Sequence, residues 1–366
     1  VGSGPFAENA SGAQVAVTGT GPQVSYSPNG KTWSAPVTIA ASGGNAAVAL
    51  SANGRAVVVW DGGTATAPVL QASVMPSGGI WSAPVTIGAL TAGARAPLVA
   101  MDGSGNAIVA WAGSTGSKVK GPVYTASLPA GGSWTAIHTL VTALAGSVIR
   151  LAVNSAGSAI ISWSEQDSVE ADSGTILGGF GTPAAFGPAL QYEDIPRVTS
   201  LAINNAGQAV LVYDNQANTG EAAIRSASGT WAGPSALACS FAGDAAIDGA
   251  GDALALCEGS NSEDQLTFDS TRLTAGGTWA TPVVLSTDNI ESLTDAADAA
   301  GTFVVALQDA TSGAAEVLTS PPGGGFGTAA AFSAFGISSL NMAATGHATL
   351  VLSNSSGEFE STEPVS

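Results

Sequence analysis

The sequence predicts an all-β chain of tandem four-stranded units, and three observations carry that expectation. A polar turn ending in glycine and followed by an alternating apolar run recurs eight times in the 366 residues, at Gly12, Gly54, Gly105, Gly157, Gly207, Gly251, Gly301 and Gly346. The copies lie 42 to 52 residues apart, within the range of propeller blades. No segment combines helical periodicity with capping residues. Four antiparallel strands per period, repeated in tandem, define a β-propeller. The chain contains no linker or break in composition, so residues 1–366 read as a single propeller domain. The count is about eight blades with the last incomplete, because eight A-B-C units are followed by only seven D strands. Seven blades with overlapping termini is the alternative.

Each element follows from its residues. Strand A is a short apolar run such as Pro97-Leu-Val-Ala-Met101. The turn after it opens on Asp or Asn, as in Asp102-Gly-Ser-Gly105 and Asn204-Asn-Ala-Gly207; the acidic or amide side chain bonds its own backbone, and Gly takes the positive φ. Strand B is the repeated run, for example Gly54-Arg-Ala-Val-Val-Val-Trp60. Strand C is shorter, as in Val123-Tyr-Thr-Ala-Ser127. A glycine-rich turn and an aromatic residue lead into strand D, as in Trp33-Ser-Ala-Pro-Val-Thr-Ile39, Trp81-Ser-Ala-Pro-Val-Thr-Ile87 and Trp279-Ala-Thr-Pro-Val-Val-Leu285. Phe180 and Phe326 take the aromatic place in the two periods without Trp. Proline suits an edge strand, where a missing ladder donor costs little.

Composition removes several functions. The chain has 9 Lys+Arg against 27 Asp+Glu, a net charge of −18, which argues against nucleic acid and anionic membranes as partners. A hydrophobic content of 45% argues against disorder, and no apolar run reaches the roughly 18 residues of a membrane-spanning helix. The sequence starts at Val1 rather than Met, which fits a removed signal peptide and an extracellular or cell-surface protein. A trimmed chain would look the same. Two cysteines rule out a disulfide scaffold.

The turn Ser27-Pro-Asn-Gly-Lys-Thr-Trp33 resembles the Asp-box of sialidase-like propellers, one residue short and with Asn29 in place of Asp. Pro76-Ser-Gly-Gly-Ile-Trp81 and Pro129-Ala-Gly-Gly-Ser-Trp134 are weaker versions. As a repeat pattern the resemblance covers nearly the whole chain and extends to secreted bacterial repeat proteins. It implies fold, because the box is a structural turn. The family's enzymes use three arginines for a carboxylate, a Tyr nucleophile helped by Glu, and an acidic proton donor. The Arg-Ile-Pro motif of their first blade is absent here. The segment holding Tyr192, Glu193, Asp194 and Arg197 contains the right residue types, and Arg95 stands at the same distance from its turn Gly as Arg197. These five are the candidate ligand-binding residues, as a remnant carboxylate site; the ordinary reading is a polar loop with a local ion pair.

The B–C and D–A loops share one face and vary in length, which makes that face the expected binding side and the acidic one. Its densest stretch offers Glu165, Asp167, Glu170 and Asp172 as weak candidate ligands for calcium, without matching an EF-hand; the ordinary reading is a solvated acidic loop. Trp60, Trp111 and Trp163 end strand B at equivalent places, either as packing residues or as stacking platforms for sugars. Cys239 and Cys257 end neighbouring strands on the same side, which makes a bridge between adjacent blades geometrically reasonable; free buried thiols are the alternative. His138 and His347 form no metal motif and read as structural. The expected function is a secreted, non-catalytic binding or structural module with a protein or glycan partner. Self-association through an open edge strand of the last blade is part of that expectation. A glycan-binding lectin-like propeller is the alternative, and a sialidase-like glycoside hydrolase a more distant one.

Overall fold

The computed structural model describes residues 6–19, 21–64, 66–90, 96–113, 121–144, 148–165, 168–187, 197–215, 217, 219–260, 265–332, 336–342, 348–353 and 359–362. Among these the secondary structure is strand and turn, with every named strand pairing antiparallel. The chain divides into two compact units, residues 1–166 with 170–184, and residues 167–169 with 185–366.

In the first unit, three four-stranded sheets follow one another. The first repeat has strands A to D at Phe6–Glu8, Gln14–Thr18, Gln23–Ser27 and Val37–Thr38. The second has Gly44–Leu50, Ala56–Thr64, Ala67–Met75 and Val85–Ala89, and the third Leu98–Met101, Ala107–Ala112, Gly121–Leu128 and His138–Leu144. The fourth sheet orders Ile149–Val153, Ser158–Ser164, Val169–Thr175 and Gly179–Phe180.

The second unit opens with a seven-stranded sheet. Strands A to C of the fifth repeat are Arg197–Ile203, Ala209–Asp214 and Thr219–Arg225. Strand D of that repeat and strand A of the sixth are one 17-residue strand, Trp231–Ile247. Its first part pairs Thr219–Arg225 and its second part pairs strand B of the sixth repeat, Ala253–Ser260. Positive φ at Ala238 (57°) and Phe241 (40°), with register shifts beside them, marks where the strand changes partner. The sixth repeat ends with Leu266–Leu273 and Val283–Ser286. The seventh is Ile290–Ala297, Phe303–Asp309, Ala315–Ser320 and Ala330–Phe332, and the eighth has three strands among the described residues, Gly336–Met342, Ala348–Ser353 and Phe359–Thr362.

The B strands form the core, packed between neighbouring repeats of the same unit. Ala56 to Trp60, Ala107 to Ala112 and Ala253 to Cys257 are all buried, which is why they read as continuous apolar runs. Each core cluster joins consecutive repeats. Val15, Val17 and Val24 pack on Val58 and Trp60; Val57, Val59 and Leu70 pack on Val109 and Trp111; Leu254 and Leu256 pack on Phe303 and Val305. Trp60, Trp111 and Trp163 are 0–1% exposed and belong to these clusters, so the indoles are packing residues and not sugar platforms.

The A–B turns are built as their residues dictate. The Asn154 Oδ1 atom accepts from Ala156 N (3.1 Å) and Ser158 N (2.9 Å), and the Asp298 Oδ1 atom from Ala300 N (2.9 Å) and Thr302 N (2.8 Å). The turns also touch their neighbours. Asn204 Nδ2 donates to Asp248 O (2.7 Å), and a Cβ on Gly249 would lie 2.5 Å from Ala299 O. Strand D starts later than its Trp suggests, at Val37, Val85 and Val283. The proline just before has no N–H for the ladder. One backbone bond precedes it, such as Ser82 N to Val74 O (2.9 Å), and the Ser82 hydroxyl accepts from Val74 N (3.1 Å). The Asn29 side chain holds its turn by accepting from Lys31 N (3.0 Å) and Thr32 N (2.9 Å).

Candidate functional site

A concavity in the second unit lies between the sixth and seventh repeats, on the side of the A–B and C–D turns. Its upper part, of about 510 Å³, is lined by strand C and D residues including Ser270, Arg272, Val283 and Val284, and by Leu318 and Phe326 of the seventh repeat. A second part of about 250 Å³ continues past Asp248, Asp252, Thr274 and Phe303. Arg272 and Gly324 line both.

Strand alternation puts Arg272 here. It stands opposite Leu254 in the ladder, the position held by Tyr26 opposite Val15, Val74 opposite Val57, Ser127 opposite Ile108, Ile224 opposite Val210 and Thr319 opposite Val304. Of these six equivalent positions, only that of the sixth repeat carries a cation. The Arg272 guanidinium lies over the rings of Phe303 and Phe326, with its central carbon 5.1 Å from each centroid. Its Nη2 atom is buried without a hydrogen-bond partner. Burial lowers the Arg272 pKa, and the Asp252 charge partly opposes that.

The groove's two carboxylates serve its turns. The Asp248 Oδ1 atom accepts from Ala250 N (2.9 Å), Gly251 N (2.8 Å) and Asp252 N (2.8 Å), and the Asp252 Oδ1 atom from Ala275 N (2.7 Å). Val283 and Val284 are exposed and form an apolar wall, while Gly323, Gly324 and Gly325 leave the opposite side without side chains. The arrangement offers one fixed cationic donor, an acidic acceptor and apolar surface, which suits a ligand with polar edges and an apolar face.

The residues nominated from sequence lie elsewhere. Arg95, Tyr192, Glu193, Asp194, Asp167 and His347 fall outside the described residues. Arg197 is exposed and opens strand A of the fifth repeat, paired in register with Asp214. Burial raises the Asp214 pKa to about 6, against the lowering effects of the Ala242 N–H, which it accepts, and of the Arg197 charge. Glu170 is raised by burial, then by Glu165 and Asp172. Asp172 is raised by burial while accepting from Gly181 N (3.0 Å). Among the described residues no group of three or more His, Cys, Asp or Glu is placed to hold a metal ion. Cys239 and Cys257 form a disulfide (Cα–Cα 6.1 Å) tying the long strand to strand B of the sixth repeat. Sequence reasoning missed Arg272, Phe303 and Phe326. The available signal was register: seven residues before the aromatic that leads into strand D, the sequence carries an arginine at Arg272 where Tyr26, Val74, Ser127, Ile224 and Thr319 stand in the aligned repeats.

No protein-family model matches the sequence, and no curated protein matches it. Solved structures do. The BP39L lectin from Burkholderia pseudomallei is similar over 90% of this chain and 99% of its own, with 15% identity and a TM-score of 0.59. The Dos1 propeller is similar over 98% and 91%, with 10% identity and a TM-score of 0.61. A PL25 polysaccharide lyase, an ulvan lyase, is similar over 99% and 93%, with 10% identity and a TM-score of 0.52. The fold is a β-propeller. At these identities the likeness is one of fold alone, and the Asp-box resemblance adds no activity to it.

Proposed function

We propose that this propeller is a non-catalytic saccharide-binding module that works outside the cell, with the Arg272 groove as its binding site. The observation that carries the reading is a guanidinium held against two aromatic rings, with a buried, unpartnered N–H, in a groove walled by exposed valines. Saccharides present that pattern of hydroxyls and apolar C–H faces. Similarity in fold to a lectin and to a polysaccharide lyase supports the choice of ligand class. The involvement of Asp248 and Asp252 with turn N–H groups supports binding over acid–base chemistry. The disulfide supports an oxidising compartment.

Calorimetric titration with a panel of neutral and acidic oligosaccharides tests the reading. At least one binds with one site per chain, because the equivalent positions Tyr26, Val74, Ser127, Ile224 and Thr319 lack a cation. Phe326→Ala weakens that binding about tenfold or more, and Arg197→Ala leaves it unchanged. Binding that survives Phe326→Ala and disappears in Arg197→Ala moves the site to the opposite loops, and a panel without any binder removes the reading.

A further inference from the structure

We infer, building on the saccharide reading, that the groove selects an acidic sugar: a uronic-acid residue whose carboxylate sits on Arg272. The guanidinium carbon sits over the faces of both phenyl rings, and what the group offers a ligand is its fork of N–H donors. Its Nη2 atom is buried without a partner in the protein, and Arg272 lines both parts of the groove. A planar fork of donors is matched by a planar pair of acceptors, and a carboxylate takes two parallel N–H···O bonds where a hydroxyl takes one.

The acid nearest in electrostatic terms, Asp252, leaves this role open, because its Oδ1 atom accepts from Ala275 N. Asp248 is taken up by three N–H groups of its own turn. The remaining surface fits a pyranose ring. Val283, Val284 and Leu318 line the side that would meet its C–H face, and Gly324 and Gly325 let it approach the backbone. The two parts of the groove meet at Arg272 and Gly324, so the acidic ring sits at the junction and neighbouring rings extend into either part. The net charge of −18 does not decide against this, because charges beyond about 8 Å are largely screened at physiological salt.

The test uses the full chain and two probes that differ only in the acid: trigalacturonate and its fully methyl-esterified form. The expected result is at least tenfold tighter binding of the acid. Arg272→Gln, with an unchanged melting temperature as its folding control, brings the acid down to the affinity of the ester and leaves the ester where it was. Equal binding of both probes to the unmodified chain overturns the acidic-sugar inference and leaves the saccharide reading standing. Equal weakening of both probes in Arg272→Gln does the same, since it makes Arg272 a wall of the groove. Failure of every saccharide in the wider panel removes both.

Discussion

Asp295 is the residue whose placement is hardest to reconcile with its chemistry. In the strand A ladder it stands opposite Val305, the place held by Val48, Val99, Leu151, Leu201, Ala245 and Leu340 in other repeats. It is 8% exposed, and neither carboxyl oxygen makes a well-formed hydrogen bond. Burial pushes its pKa far up and the neighbouring Asp244 pushes it further, against the lowering effect of the Ala246 and Asp295 backbone N–H groups. Asp244 itself is well satisfied, accepting from Ser200 Oγ (2.6 Å), Thr294 Oγ1 (2.8 Å) and Ala245 N (3.0 Å). An unsatisfied buried polar group costs about 1–3 kcal/mol. Asp295→Ala, the residue the sixth repeat uses, therefore stabilises the protein at pH 7 by an amount of that order, less the cavity it leaves. Chemical denaturation at pH 7 and pH 4 checks this: the gain shrinks at the lower pH, and a loss at pH 7 would sink the idea. The feature was invisible in the sequence, where Asp295 belongs to the unremarkable run Thr294-Asp295-Ala296. Only the ladder register shows that this acid points into an apolar layer.

At the scale of elements, the B strands and A–B turns were legible because the determinants are local. Gly251 takes a φ of +93°, Asp248 caps the turn, and the apolar run follows at once. Strand D was read too long, because Trp279 and Pro282 mark the approach to the strand and the ladder begins at Val283. The fusion of strands D and A into Trp231–Ile247 was missed because Gly233-Pro234 inside it reads as a break, and nothing local marks the strand as continuous. The groove was missed for a different reason: it needs Arg272 and Phe326, 54 residues apart, on facing repeats. The long strand also sets a prediction. The disulfide closes a loop with a sequence separation of 18, and a loop of that size restricts the unfolded chain by roughly 3 kcal/mol. The double substitution Cys239→Ser, Cys257→Ser lowers the melting temperature by several degrees, and reductant has the same effect on the unmodified chain. A melting curve indifferent to both would show that the bridge adds nothing to the ladder beside it.

The whole molecule answers to pH in the direction opposite to that of a protein held by paired carboxylates. Burial raises the pKa of Asp61, Glu170, Asp172, Asp214, Glu258 and Asp295. A carboxyl whose folded pKa lies above its unfolded value of about 3.9–4.3 contributes stability that is full below that value and lost as pH rises through the folded one. For Asp214 the window runs from about 4 to about 6. The net charge of −18 acts in the same sense, since self-repulsion falls as carboxylates protonate. Asp309, lowered by Ser312, runs the other way and is outnumbered. Melting temperature at constant ionic strength is therefore highest in mildly acidic buffer and falls towards pH 8; a rise over that range would contradict the assignment. The seven-stranded sheet has a consequence of another kind. Between the first and second repeats the chain leaves one sheet at Thr38 before entering the next at Gly44, so a cut there separates whole units. Between the fifth and sixth repeats any cut severs a strand that is hydrogen-bonded on both sides of the junction. Recombination that divides these two repeats therefore leaves two damaged edges, where a division after Thr38 leaves one clean joint.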